Sequence, residues 1–248
     1  MSARSGMMAA ALLSGLATAD AASAAAAIPA FSRMAPGGPI EGWQALKPSP
    51  KAADTRYRLV ADGALTVLKA DAEKSMSGLI HTVRVDTRRH PLLRWRWKIA
   101  APVANADMTQ KSGDDYAARV YVMFDYPAAR LPFSDRLKMK MAESLYGQRL
   151  PTAALNYVWD NRQPVGTVQA NTYTDRARMI VAQSGAARAG TWVTETRDLR
   201  ADFLAAFGEP APDVVAVAIA TDTDNTGGRA SAWYGDLEFL PDAQGPAR

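Results

Sequence analysis

The run Thr221–Gly228, TDTDNTGG, places two carboxylates and an amide oxygen within four residues, at Asp222, Asp224 and Asn225. Hard cations such as calcium collect about six to eight oxygen ligands. The spacing resembles the opening of a D-x-[DN]-x-[DN]-G calcium loop, with Gly227 in the glycine position. It departs at Thr226, where Asp or Asn is usual, and at Trp233, where a bidentate Glu belongs, so the run is not an EF-hand. Calcium is the one cofactor the sequence puts forward, with Asp222, Asp224 and Asn225 as its ligands. Two other uses of these residues stay open. They can hydrogen-bond a ligand's hydroxyls directly, or form an Asx-type turn in which the side chains accept backbone N–H groups.

A second acidic pair, Asp114 and Asp115, precedes an alternating apolar run. Neighbours on a strand point to opposite faces, so one of the two can join a shared site while the run is extended. Together with Asp222 or Asp224 it would make the carboxylate pair that glycosidases use as acid and base. Alternatively, Asp115 pairs with Arg119. Of six tryptophans, most fall in phase with core positions. Trp159, in NYVWDNRQP at a strand end, is the expected exposed ring. Tyr234, alternating out of phase with Trp233, Leu237 and Phe239, is the second expected stacking surface. Other chemistry is sparse. There is no cysteine, which removes disulfides, thiolate zinc sites and Cys catalysis. His81 and His90 belong to no metal-ligand spacing, and no GxSxG, P-loop or GxGxxG motif occurs.

The elements that must position these groups read as strands. Leu92–Ile99, LLRWRWKI, alternates Leu93, Trp95, Trp97 and Ile99 against Arg94, Arg96 and Lys98, as a sheet with one wet face requires. Val214–Thr221 is apolar on both faces, with Ala216, Ala218 and Ala220 forming a small face in phase with Asp222, which predicts a central strand. About eleven short strands are expected, with two inserted helices. One helix runs over Ser134–Gly147, and the other follows an Asp198 cap and ends at Gly208. No repeat and no βαβ alternation is present. The fold class is mainly β: an antiparallel β-sandwich or jelly roll, similar to carbohydrate-binding modules.

The 248 residues are 48% hydrophobic and 22% charged, which suits a folded domain. The net charge of +4 comes without a Lys/Arg run, so nucleic acid is not an expected partner. Residues 1–26 read as a cleavable signal peptide: Arg4, a short apolar run from Met7 to Ala19, then small-residue sites ATA and ASA. Residues 27–50 form an expected irregular surface segment, and 51–241 one β-sandwich domain. The expected location is periplasmic or secreted, with no stable membrane anchor after cleavage.

Five runs occur in a recognisable order: Trp95–Lys98, DDYAARVYVMF, Asn156–Trp159, FGEPAPDVVAVAIATDTDNT and AWYGDLEF. In these the chain resembles the bacterial exported family known as domain of unknown function 3047, over roughly Trp43 to Leu240. The resemblance implies one exported, jelly-roll-like domain and carries no catalytic residues with it. The leading expectation is a binding protein for a cell-envelope or extracellular glycan, assisted by calcium. Asp222, Asp224, Asn225 and Asp114 or Asp115 would supply polar contacts, and Trp159 or Tyr234 a stacking face. The rival is a carboxylate hydrolase acting on a glycan, and a third reading is an envelope scaffold without a small ligand.

Overall fold

Alternation carries Leu92–Ile99 into a strand whose Leu93, Trp95, Trp97 and Ile99 are buried, while Arg94 is exposed. The same logic repeats through the computed structural model, which describes residues 27–47, 52–130 and 152–242. In these the strands are β1 (Gln44–Leu46), β2 (Arg56–Asp62), β3 (Leu65–Glu73), β4 (Met76–Val85), β5 (Leu92–Ile99) and β6 (Arg119–Phe124). They continue as β7 (Ala153–Asp160), β8 (Val168–Asn171), β9 (Thr174–Ser184), β10 (Val193–Asp198), β11 (Val214–Asp222) and β12 (Arg229–Leu240). One α-helix, α1 (Leu199–Phe207), lies between β10 and β11.

The strands form two sheets, ordered β1-β4-β11-β6-β7-β9-β8 and β10-β5-β12-β3-β2. Every strand pair is antiparallel except β7 with β9. The chain passes back and forth between the sheets, as in a jelly roll, so the expected antiparallel sandwich is the fold observed. Aromatic contacts join the layers: Trp95 lies 5.1 Å from Tyr157 and Trp97 5.9 Å from Trp159, centroid to centroid. Such pairs add about 0.5–1.5 kcal/mol each beyond the area they bury.

Local chemistry sets the ends of the elements. Gly63, at φ 62°, takes the left-handed conformation that closes β2 and β3 into a hairpin in which Asp62 faces Leu65. Asp198 caps α1 as expected, its carboxylate accepting the N–H groups of Arg200 and Ala201 at 2.9 and 3.1 Å. Gly208, also left-handed, ends that helix. The helix expected over Ser134–Gly147 and the leader 1–26 lie outside the described residues.

Two expectations are corrected. The segment from residue 27 does not simply cross the surface. Phe31 is fully buried and stacks on Trp43 at 5.2 Å, and Gln44–Leu46 adds to β4 as an edge strand. Burial of two large rings outweighs the Pro/Gly-rich composition that suggested a loop. The second concerns β12. Its register shifts between Tyr234 and Leu237, and the extra residue there lets Ala232 and Tyr234 point inward together with Leu237 and Phe239. Trp233 therefore lies on the outer face, the reverse of the expected phase. A bulge of this kind resets alternation, and uninterrupted period-2 counting misses it.

The outer face of the seven-stranded sheet is built for close approach. β11 sits between β4 and β6, and presents Ala216, Ala218 and Ala220 there. Across from Ala220 stand Gly78 on β4 and Arg119 on β6. Asp222 ends the same strand.

Candidate functional site

Asp114–Ala118 runs as a loop and not as the start of a strand, since β6 begins only at Arg119. This loop lies alongside the end of β11. The Asp222 N–H donates to the Tyr116 carbonyl at 3.1 Å, and the Thr221 hydroxyl to the Ala117 carbonyl at 2.9 Å. Strand alternation therefore does not divide Asp114 from Asp115, and both reach the Thr221–Gly228 region. Oxygen atoms of Asp115, Asp222 and Asp224 lie within 4.8 Å of one another.

Most of these carboxylates are engaged inside the protein. Arg119 and Asp222 form a buried ion pair, 1% and 0% exposed, in which the Arg119 Nε donates to Asp222 Oδ1 at 2.9 Å and an Nη2 reaches Oδ2. The guanidinium also lies 4.7 Å from the Tyr116 ring centre. Burial works to lower the Arg119 pKa, but the facing Tyr121, Asp114, Tyr116 and Asp115 outweigh it and raise the value, so the cation is secure. Asp115 is saturated from the opposite loop. It accepts the Asn225 N–H at 3.1 Å, the Asn225 side-chain amide at 3.3 Å and the Thr226 N–H at 2.6 Å. Asp114 accepts from Asn171 Nδ2 at 3.2 Å. Among the described residues Asp224 is the most lightly held of the cluster, by a long 3.5 Å bond from its neighbour Asn225 and by its own backbone N–H. Burial and then the nearby Asp115 hold its carboxyl above the ordinary Asp range.

Beside this cluster is a cleft of about 370 Å3 at the β8–β9 end of the outer face. Asp114, Arg119, Tyr121, Tyr173, Asp224 and Asn225 are among its lining residues. Tyr173, in the turn from β8 to β9, is 58% exposed. Its hydroxyl lies 3.2 Å from the Lys111 carbonyl and 3.0 Å from Asn225 Oδ1, and the Lys111 ammonium stands 5.3 Å from its ring centre.

The seven residues singled out from the sequence thus divide. Asp114, Asp115, Asp222, Asp224 and Asn225 converge at one end of the sheet. Trp159 does not join them: it is 1% exposed, its indole N–H donates to the Gly185 carbonyl, and it packs on Trp97 in the core. Tyr234 is fully buried, with its hydroxyl on the Ala220 carbonyl and near Thr221 Oγ1. Neither ring can stack on a ligand, because both have spent their faces on the core and their polar ends on the backbone. Sequence reasoning missed Tyr173 and the pairing of Arg119 with Asp222. The available signal for Arg119 was a charged side chain on the outward phase of an otherwise apolar strand. Tyr173 gave none beyond its place between two short strands.

The calcium ligand set meets a competing cation. Both Asp222 oxygens face the Arg119 guanidinium and Asp115 is filled by amides, so two of the three clustered carboxylates already hold partners and Asp224 is the one left lightly engaged. The described residues fit a hydrogen-bonded turn built around the Arg119–Asp222 pair better than a calcium cage.

A family model described as "Protein of unknown function (DUF3047)" matches residues 41–238. The chain belongs to that family. Among solved structures it is similar to a family 12 xyloglucanase from Bacillus licheniformis in complex with ligand, at 8% identity and a TM-score of 0.42, over 83% of this chain and 97% of that one. No curated protein matches the chain.

Proposed function

We propose that this DUF3047 protein binds a polyhydroxylated ligand of the glycan type in the cleft between Tyr173 and Asp224. The observation that carries the reading is the cleft's lining, which sets a half-exposed phenol ring beside the least engaged carboxylate of the cluster. A sugar offers a C–H face to an aromatic ring and hydroxyls that both donate and accept. Asp224 supplies the acceptor, and the Tyr173 hydroxyl and the Asn171 and Asn225 amides supply mixed polar contacts. At about 370 Å3 the cleft is near the small end of ligand pockets, so it would hold a short stretch of a glycan.

Binding is favoured over hydrolysis because a two-carboxylate mechanism needs a free acid and a free base. Here Asp222 is held by Arg119, Asp115 by backbone amides and Asp114 by Asn171. The same pairing favours recognition without calcium. The leader-like pattern of residues 1–26 supports a periplasmic or secreted location, which N-terminal sequencing of protein recovered from an envelope fraction would test.

The test is equilibrium binding of the mature protein to a panel of neutral oligosaccharides, with calcium and with chelator. Saturable binding that persists in chelator is expected. Tyr173→Ala and Asp224→Asn should each weaken it by about tenfold, or ~1.4 kcal/mol. Absence of binding across the panel under both conditions defeats the proposal, and binding that vanishes with chelator restores the calcium reading.

A further inference from the structure

The five-stranded sheet turns a different face to solvent. Because of the register shift in β12, Trp233 points outward between Lys69 on β3 and Lys98 on β5, its register partners on either side. The two ammonium groups stand 5.2 and 4.8 Å from its ring centre. Trp192, just before β10, continues the row, with Lys98 at 4.9 Å and Arg96 at 4.4 Å. Gly235 makes room for this layer: a Cβ there would lie 2.5 Å from both Cγ and Nε of Arg96. Cations and indoles thus alternate as Lys69, Trp233, Lys98, Trp192 across three adjacent strands and the residue that leads into β10, with Arg96 beside the last.

The charge on this face is unbalanced. Arg56, Arg58, Lys69, Arg94, Arg96, Lys98 and Arg229 lie on it, against Asp62, Asp71, Glu73 and Glu238. The carboxylates take part in ion pairs with Lys98, with Arg58 and Lys69, with Arg229 and with Arg94. Arg56 and Arg96 have no carboxylate partner among the described residues. At one end the face dips into a hollow of about 340 Å3, lined by Arg56 and Arg229 together with Asp71, Glu73 and Ser231; the carboxylates there are paired with Arg58, Lys69 and Arg229, which leaves Arg56 as the unpaired cation. The cleft on the other sheet has the opposite balance, with Asp114 and Asp224 lining it against Arg119.

We infer that the outer face of the five-stranded sheet is a second binding surface, for a carboxylate-bearing polysaccharide, with Arg56 in the hollow and the Lys69–Lys98–Arg96 row as its contacts. Charge complementarity selects an anionic partner. The indoles are partly buried beneath cations and lack the protruding apolar anchors that insert into a lipid surface. Interspersed carboxylates suit a polymer with one charge per sugar better than a phosphate backbone, whose close charges would meet Asp71 and Glu238. Aromatic faces held between cations suit saccharide rings, which bring C–H and hydroxyl groups to the same contact.

The experiment measures binding of the full mature protein to polygalacturonate, to a neutral glucan, and to vesicles of anionic phospholipid, at low and at physiological salt. Saturable binding to polygalacturonate that weakens with salt is expected. Arg56→Glu/Lys69→Glu should reduce it by about tenfold or more, with an unchanged thermal midpoint showing that the sheet is intact. Arg56→Gln alone, at an exposed side chain without an ion pair, removes the cation without setting a like charge opposite Asp71, its register partner, and should also weaken binding. Asp224→Asn, which tests the cleft, should leave polygalacturonate binding unchanged, so failure of either site is seen separately. No binding to polygalacturonate at low salt, binding indifferent to the charge reversals, or preference for the vesicles would each overturn the inference.

Discussion

Arg119→Leu is the most informative single substitution, because it leaves Asp222 fully buried beside Asp115 and Asp224 without a counter-charge. Two unit charges about 4 Å apart are worth ~4 kcal/mol at an effective dielectric constant near 20. Removing one partner of a buried pair costs about 3–5 kcal/mol by the same physics. Urea denaturation followed by tryptophan fluorescence should show the unfolding free energy falling by that amount, as a lower midpoint at unchanged slope. Acidification should narrow the gap. Protonating the stranded Asp222 would remove its uncompensated buried charge, so the deficit shrinks in acid. Arg119→Leu/Asp222→Leu should recover most of the loss, since apolar replacement of a buried pair is often neutral. A single-variant loss below about 1 kcal/mol would refute the claim that the pair is desolvated. A double variant no more stable than the single one would refute the claim that the stranded charge causes the loss.

Asp224→Asn should raise the thermal midpoint slightly at pH 7 and leave it unchanged below about pH 4. The folded pKa of Asp224 is raised, first by burial and then by Asp115, so its charge favours unfolding once pH exceeds the unfolded value. Midpoints measured at both pH values check the sign, and a lower midpoint at pH 7 would contradict it. Gly78→Ala should cost about 1–3 kcal/mol, since its Cβ would lie 2.6 Å from the Ile219 carbonyl oxygen, a backbone atom of the adjoining strand that cannot step aside alone. Chemical denaturation would measure it, and a neutral result would mean that β4 and β11 are less tightly apposed than described.

Much of the fold was legible because burial and period coincide. β5 alternates cleanly, and β11, apolar on both faces, lies in the interior of its sheet. The α1 boundaries could be read because Asp198 and Gly208 each have a local mechanism. What failed depended on distant partners. The phase of Trp233 and Tyr234 turned on a bulge set by pairing with β5, which no window on β12 contains. The burial of Trp159 turned on Trp97 in the opposite sheet. The convergence of Asp114, Asp115, Asp222 and Asp224 was legible as an alternative, since both acidic runs fall next to strands. The occupancy of those carboxylates was not, because Arg119 meets Asp222 only through the register that sets Ala220 opposite it.

The aromatic rim of the cleft hangs from β8, the four-residue outermost strand of its sheet. Side chains tie that hairpin to the Met108–Asp114 loop: Gln169 to the Met108 carbonyl, Asn171 to Asp114, and Tyr173 to the Lys111 carbonyl. Strand β9 keeps its other ladder, to β7, when β8 detaches. Such an opening costs far less than melting the whole molecule. Amide protons of Val168–Asn171 should therefore exchange with deuterium ahead of those in β7, and an occupant of the cleft would slow them first.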